Sequence, residues 1–446
     1  MVESAINTTL VNEEPAEEAV GRGELALQWV HPPEVEASHW LEPGRHVLGR
    51  DPACAVRLGA SSVSRRHAEI RVARGACTIA DLGSANGTFV DGKRSREALV
   101  QLGTVVRIGD CVGVIVHLPT GVSTGFAEVA PGLWGGARLR AVLDPVRRVA
   151  RTGIPIVLEG ETGTGKEVFA QAIHHLSERT GPFVGVNCAA IPDGLAEAEL
   201  FGHARGAFTG ANRSNQGYLR AAHQGTLLLD EVVDLAPSIQ AKLLRALELG
   251  LITPLGESLS HAVDLRLVSA AQQPLPDSVQ RGSFRGDLFA RLNGITIEIP
   301  PLRRRAEDIP GLFTLFARES APHSPLALSS TGAEALCLHP FFHNVRELQQ
   351  LARRMTALYG GGVLRRSHLA TDLERSRRLT APAERTMDSV PQQELAALQQ
   401  ALMSCGGNVS RASALMGISR QKVYRLVKRL DVGVVAGARR ARRRSE

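Results

Sequence analysis

Apolar and polar positions change rhythm several times along the chain, and each change marks a different kind of domain. Residues 24–118 carry short apolar runs such as HVLGR, AEIRV, CTIADL, GTFV and TVVRIG, cut by the turn signals DPA, GSANG and DGK, with no long helical period. That pattern predicts a β-sandwich. Residues 119–135 (PTGVSTGFAEVAPGLWG) are rich in Gly, Thr, Ser and Pro and read as a linker. Over 136–302 the strand-like runs IPIVLEG, PFVGVN, TLLLDEV, LRLVSA and ITIEIP alternate with helical stretches, which predicts a parallel sheet covered by helices. Residues 303–375 read as helical throughout, ending in NVRELQQLARRMTAL, and 376–391 read as a second linker. Over 392–432 the pattern is helix, Gly turn, helix. Ala412, Leu415 and Met416 line one face, and Val423, Leu426, Val427 and Leu430 follow at i, i+3, i+4, i+7. The expected architecture is multidomain: an N-terminal β-sandwich, a central α/β region with a helical subdomain behind it, an all-α end, and a basic tail over 433–446.

A chain of 446 residues has room for two to four domains with cores of their own. No uninterrupted apolar run approaches membrane-spanning length, and the start, MVESAINTTLVNEEPAEEAV, is acidic and polar where a signal peptide needs a basic flank. These features predict a cytoplasmic protein with no membrane partner. The six cysteines (54, 77, 111, 188, 337, 405) are scattered without a CxxC pair, which argues for reduced thiols rather than disulfides or zinc. His174-His175 reads as one helix face. The net charge of +7 is unevenly placed: from Arg411 to Glu446 eleven Lys/Arg face two acids, a net of +9, so the remainder sums to about −2. Positive charge gathered at one end is the footprint of nucleic-acid binding.

Two segments carry phosphate chemistry. Gly160-Glu161-Thr162-Gly163-Thr164-Gly165-Lys166-Glu167 follows the apolar run IPIVLE and opens the helical run EVFAQAIHHL. Strand, Gly-rich loop and helix are the context of a P-loop, in which backbone N–H groups cradle phosphates and Lys166 reaches the β/γ oxygens. Glu167 stands where a Ser or Thr hydroxyl ordinarily meets magnesium. Downstream, TLLLDEV ends in Asp230-Glu231. A buried strand tolerates two carboxylates only where they project at its C-terminal edge, beside a nucleotide. Asp230 is assigned to Mg²⁺ and Glu231 to orienting the attacking water. The two segments together specify an NTPase that uses Mg²⁺.

Between them lies Gly206 to Ala211, GAFTGA, preceded by Glu199-Leu200-Phe201-Gly202-His203. With the P-loop and the Asp-Glu pair, this segment gives residues 131–375 a close resemblance to the AAA+ domain of sigma-54-dependent transcriptional activators. The resemblance sharpens the nucleotide to ATP. It implies that Phe208 and Thr209 contact the sigma factor of the sigma-54 RNA polymerase holoenzyme, and that residues 303–375 form the helical lid. It implies that Asn187 restrains the catalytic Glu231, that Arg285 and Arg291 reach a neighbouring subunit's γ-phosphate in a self-associated ring, and that Arg346 in HNVREL senses bound nucleotide. Gln272, Pro254 and His343 stand where the family usually has Asn, Arg and Gly.

Within 24–118, Gly49-Arg50, Ser64-Arg65-Arg66-His67 and Asp81-Leu-Gly-Ser-Ala-Asn86-Gly-Thr resemble a forkhead-associated (FHA) domain. A guanidinium at Arg50 and a hydroxyl at Ser64 suit a phosphothreonine phosphate, Arg65 supplies a second charge, and Asn86 suits the bound peptide's backbone. Gly49 and His67 are assigned to loop architecture. Ala85 replaces a residue that often helps hold the phosphate. The implied partner is a protein phosphorylated by a Ser/Thr kinase.

Residues 407–430 resemble a Fis-type helix-turn-helix, whose second helix enters the major groove of promoter-upstream DNA. Ser419, Arg420, Gln421, Tyr424, Arg425 and Lys428 lie on its outward face, with Arg420 and Gln421 placed for base edges and Arg425 and Lys428 for phosphates. The expected function is an ATP-dependent activator that remodels the sigma-54 RNA polymerase closed complex under phosphothreonine control. The competing expectation is a phosphopeptide-responsive repressor or scaffold whose ATPase is vestigial.

Overall fold

The computed structural model of the protein describes residues 24–380, apart from 36–37, 74–75, 119–123 and 210, together with residue 416. The expected helix-turn-helix and basic tail therefore lie outside the described residues, Met416 excepted.

The N-terminal region is a two-sheet sandwich, as its short apolar runs predict. In chain order its strands are β1 (Glu24–His31), β2 (Ser38–Trp40), β3 (Gly44–Gly49), β4 (Val56–Arg57), β5 (Ala68–Ala73), β6 (Ala76–Asp81), β7 (Thr88–Val90), β8 (Lys93–Ser95), β9 (Glu97–Leu99), β10 (Val105–Ile108) and β11 (Cys111–Leu118). One sheet has the order β2-β1-β11-β10-β7-β8 and the other β4-β3-β5-β6-β9. Their inner faces meet in a core of Leu27, Trp29, Leu48, Ile70, Ile79, Ile108 and Ile115.

Strand β11 departs from the alternation expected of a sandwich strand. Seven of the eight residues of CVGVIVHL are buried. Cys111 and Ile115 point into the sandwich core, while Val112, Val114, Val116 and Leu118 point the other way into a second core with the helical subdomain. A near-continuous apolar run is the sequence form of a strand covered on both faces.

Residues 127–135, expected as linker, instead form a hairpin of β12 (Ala127–Ala130) and β13 (Leu133–Gly135). Val129, Ala130 and Leu133 bury into the core of the α/β region. Polar turn residues around them hid this short apolar pair. The α/β region then runs α1 (Ala137–Val149), β14 (Ile156–Glu159), α2 (Lys166–Ser177), β15 (Phe183–Asn187), α3 (Asp193–Phe201), α4 (Gly217–Ala221), β16 (Thr226–Asp230), α5 (Pro237–Leu249), β17 (Leu251–Ile252), β18 (His261–Ala262), β19 (Arg266–Ala271), α6 (Leu275–Gln280), α7 (Gly286–Leu292) and β20 (Ile295–Glu298). Strands β14, β15, β16, β19 and β20 form one parallel sheet of order β15-β16-β19-β14-β20. Strand β19 is buried throughout, which fits its central place. Its first residue, Arg266, donates to the carbonyls of Thr152 and Val149 at the C-terminal end of α1, where a cation suits the helix dipole.

The helical subdomain holds α8 (Ile309–Ser320), β21 (Ala327–Leu328), α9 (Ser330–Cys337), α10 (Asn344–Tyr359), β22 (Val363–Leu364) and α11 (Arg366–Thr380). Helix α11 runs five residues into the stretch expected as linker. A small parallel pair, β21 with β22, interrupts the helices. Among the described residues no helix is long and apolar enough to cross a membrane, and no group of His, Cys, Asp and Glu could hold a metal by itself.

Candidate functional site: a P-loop, an inserted loop and the loop edge of the sandwich

The loop between β14 and α2 sits at the C-terminal edge of the parallel sheet, where strand order reverses and ligands of such sheets bind. Gly163 and Gly165 have φ of +78° and +101°, a region that side chains disfavour. At Gly163 a Cβ would also lie 2.2 Å from the carbonyl oxygen of His343. The Lys166 ammonium is folded back to donate to the carbonyls of Gly160 (2.8 Å) and Glu161 (3.4 Å). Burial holds its pKa below the ordinary lysine value, while Asp230 and Glu231 pull the other way. Across from it, Asn187 and Asp230 are register partners at the ends of β15 and β16.

The Asp230 carboxylate accepts the Glu231 N–H at 3.0 Å, and Glu231 itself occupies the left-handed region at φ 54°. Its carboxylate accepts from the Gln272 side chain at 2.5 Å. Asn187, expected to restrain Glu231, instead accepts the N–H of Ala189 and caps a 3₁₀ turn, Cys188–Ala190. The residue holding Glu231 in this structure is thus Gln272. No periodicity in the sequence signals that contact, because it joins β19's end to β16's end across the sheet.

Arg346 and the P-loop are brought together by the start of α10. The N–H groups of Val345 and Arg346 donate to the Gly163 carbonyl at 2.9 and 3.3 Å. The nearby charge of Arg346 also pushes the Lys166 pKa down. Asn344, fully buried and at φ 54°, accepts the Leu302 N–H and donates to the Thr162 carbonyl and the Glu161 carboxylate. Glu161 also takes both guanidinium nitrogens of Arg303, at 2.7 and 2.5 Å, and that pairing lowers its pKa. His343 has an ordinary φ of −101°, so a side chain is tolerated there without backbone strain.

Asn344→Ala should leave several of these buried groups unpaired, at roughly 1–3 kcal/mol each. Scanning calorimetry is expected to show the ATPase transition roughly 5–10 °C lower. An unchanged transition would mean that the joint contributes nothing.

Arg285 and Arg291 are both exposed. Arg285 pairs with Asp287 at 2.6 Å, and Arg291 donates to the Leu247 carbonyl at 2.9 Å. Neither is bonded to the residues gathered around Lys166. Glu167 is exposed in the first turn of α2.

The GAFTGA segment is inserted between β15 and β16, whose ends carry Asn187 and Asp230. Its base is tied by mutual His203–Asn215 backbone bonds and by Ala204 N–H to the Leu255 carbonyl. Within it Gly206 N–H donates to Ala211 and Ala211 N–H to Phe208, at 2.8 and 3.0 Å. Phe208 leans edge-on against His203, with ring centroids 5.0 Å apart, yet stays 38% exposed. Thr209 beside it is exposed.

At one end of the sandwich three loops converge. Arg50 donates to the Val63 carbonyl at 3.4 Å, Ser64 Oγ accepts the Ala85 N–H at 3.1 Å, and the Asn86 side chain donates to the Ser62 carbonyl at 2.7 Å. Arg50, Arg65 and Asn86 are exposed there and Ser64 is half-buried. Gly49 is obligatory because a Cβ would lie 2.1 Å from the Arg65 carbonyl oxygen. His67, fully buried, accepts the Ser64 N–H on Nδ1, so Nε2 carries the proton and donates to Gly87. Burial lowers its pKa, in keeping with that neutral form. Both residues shape the loops, as the sequence suggested.

Comparison with known proteins divides the chain along these boundaries. Residues 46–109 match the FHA domain, 135–298 the Sigma-54 interaction domain, 303–386 the AAA+ ATPase lid domain and 397–446 the Winged helix-turn helix. The last match covers Ser419, Arg420, Gln421, Tyr424, Arg425 and Lys428, and its description is winged where the sequence suggested Fis-type. The chain is 39% identical over 290 residues to the pathogenicity-locus regulatory protein HrpS of Pseudomonas syringae pv. syringae, covering 64% of this chain and 92% of HrpS. It is 38% identical over 295 residues to the transcriptional regulatory protein GlrR of Escherichia coli K12, covering 65% of this chain and 66% of GlrR. A crystal structure of NtrX from Brucella abortus in complex with ATP is similar at 32% identity and TM-score 0.48, over 69% of this chain and 71% of that one.

Proposed function

This chain belongs to the sigma-54-interacting AAA+ family of transcriptional regulators, and from that membership we propose that it activates transcription by using ATP to remodel the sigma-54 RNA polymerase closed complex. The observation that carries this is the place of GAFTGA in the connection that leaves β15 at Asn187 and enters β16 at Thr226, the strand whose far end bears Asp230-Glu231. A change at the γ-phosphate then reaches the loop that presents Phe208 and Thr209 at its Asn187 root and, along β16, from Asp230. ATP lies in the Gly160–Glu167 cradle with Lys166 on its β/γ oxygens. The hard carboxylate of Asp230 is the residue that would hold a magnesium ion beside the phosphates. The ion would neutralise charge developing on the transferred phosphoryl group.

Glu231 orients water once Gln272 releases it, and Arg346 reports the nucleotide to the lid. Arg285 and Arg291 complete a neighbour's site in a ring. Phosphothreonine captured by Arg50, Ser64, Arg65 and Asn86 governs this activity, and the C-terminal helix-turn-helix, through Arg420, Gln421 and their neighbours, holds the chain on promoter-upstream DNA.

The test is transcription in vitro from a sigma-54 promoter, with ATP and a phosphothreonine peptide varied independently. Open complexes are expected only with ATP, and their yield should depend on the peptide in the parent but not in Arg50→Ala. Equal responses of parent and variant would refute the regulatory role. One observation favours a second reading, a phosphopeptide-responsive scaffold with a vestigial ATPase: the 2.5 Å contact of Gln272 occupies the Glu231 carboxylate. Absence of steady-state turnover by the assembled full chain would select it.

A further inference from the structure

The outer face of the sandwich shows what the FHA domain is attached to. Ala26, Val105, Val112, Val114, Val116 and Leu118 form a continuous aliphatic surface on β1, β10 and β11. A free-standing sandwich would leave this face to water and make it polar. Here it shares one core with Ile309, Phe313, Leu336, Leu348 and Met355 of the lid and Leu302 just before it. Helix α9 packs into this core through Ala333, Leu336 and Cys337, and a stripe of Ser330, Glu334 and, just past its end, Leu338, spaced i, i+4, i+8, meets the strands and turns beside it. Ser330 Oγ donates to Asp110 at 3.2 Å, and Leu338 meets the Gly92 turn. Arg107 pairs with Glu334 at 3.0 Å, the carboxylate being 1% exposed, while its guanidinium lies 3.7 Å over the Phe89 ring. Removing either partner of so buried a pair strands the other charge, which marks this as a fixed contact.

The same contact reaches both ligand sites. From the loop edge, Asn86 donates to the Ser62 carbonyl, Ser62 Oγ accepts the Asp110 N–H at 2.9 Å, and Asp110 accepts from Ser330 at the start of α9. From the nucleotide edge, α10 is bonded to the P-loop through Asn344, Val345 and Arg346 and packs into the core that holds α9. Among the described residues the lid thus contacts both the Asp110 turn, which is bonded to Ser62 beside the peptide-reading loops, and the phosphate cradle.

We propose that phosphothreonine peptide and adenine nucleotide bind this chain with linked affinities, the lid acting as the coupler through the α9 stripe. The inference rests on the phosphothreonine reading above. It differs from control by ring assembly, because it operates within a single copy. Linkage requires reciprocity: whatever factor ATP imposes on peptide affinity, peptide imposes on ATP affinity.

The experiment uses the full chain at a concentration where sedimentation shows a monomer. The probe is a fluorescent pool of nine-residue peptides, degenerate except for a central phosphothreonine, titrated without nucleotide, with ADP and with ATPγS. The reciprocal titration uses a fluorescent ATP analogue with and without saturating pool. At least about a fivefold shift is expected in both directions. Val114→Asp, which places a carboxylate in the aliphatic face, should bind each ligand alone but return the factor to one. Ser330→Ala, which cuts the hydrogen-bonded route without burying a charge, should at least halve the shift and serves if the first variant does not fold.

A factor of one in the parent, with both ligands bound, overturns the coupling and leaves the phosphothreonine reading standing. A factor that persists in both variants overturns the α9 route. Failure of the pool to bind the parent, or equal binding of an unphosphorylated threonine pool, overturns the phosphothreonine reading and the coupling with it.

Discussion

Glu231→Gln is expected to cut steady-state ATP turnover by roughly 10²–10⁴ while leaving nucleotide affinity within a few-fold. The glutamine keeps the size of the side chain but loses the acceptor charge that, in the proposed mechanism, aligns the attacking water. Lys166, Asp230 and the Gly160–Gly165 loop, which are proposed to hold the phosphates, are untouched. Single-turnover hydrolysis and a separate nucleotide titration distinguish the two effects. The opposite result, turnover within a few-fold of the parent, would remove Glu231 from the reaction. The 2.5 Å bond from Gln272 sharpens this into a pair of measurements. Gln272→Ala releases the carboxylate and should raise turnover or leave it unchanged in the parent, yet rescue nothing in Glu231→Gln. A fall of turnover in Gln272→Ala alone would instead make Gln272 a working part of the phosphate site.

The second large effect separates hydrolysis from its use. Thr209→Ala and Phe208→Ala should retain parent ATP turnover and lose open-complex formation by at least about tenfold. That is the magnitude expected when a centrally placed contact residue is truncated. Both side chains stand on the exposed tip of the inserted loop, and no hydrogen bond of the loop's base depends on them: the ties run through His203, Ala204, Asn215 and Leu255. Truncation therefore leaves the loop's path intact. Loss of turnover as well would show that the tip feeds back on the nucleotide site, and loss of neither would take the polymerase contact away from these residues.

What the sequence disclosed, and what it hid, follows from how local each signal is. The P-loop, the Asp230-Glu231 strand end and the three loops around Arg50, Ser64 and Asn86 were legible because each is a short stretch whose backbone geometry or burial demands particular residues. Gly49 and Gly163 show why, since a Cβ at either would strike a carbonyl oxygen within about 2.2 Å. The five parallel strands were legible as apolar runs between helices. The hairpin of Val129 and Leu133 was missed because two short strands in a polar, Gly-rich stretch leave almost no period to read.

Longer-range facts left fainter marks. The hold of Gln272 on Glu231 joins residues 41 positions apart, and substitution of the family's usual Asn was visible but its new partner was not. The docking of the sandwich on the lid did leave a signal, the unbroken run CVGVIVHL. It predicts a strand covered on both faces without naming the second cover.

That doubly covered strand also decides where the polypeptide can be divided. Cut at its domain boundary near residue 118, the N-terminal part would carry Val112, Val114, Val116 and Leu118 into water as one aliphatic sheet face, and the ATPase would bare Phe313 and Leu336 in return. Exposed faces of that kind drive self-association. The smallest well-behaved fragment of this protein therefore runs from the first strand through the lid, and its FHA domain cannot be lent to another chain without redesign of one side.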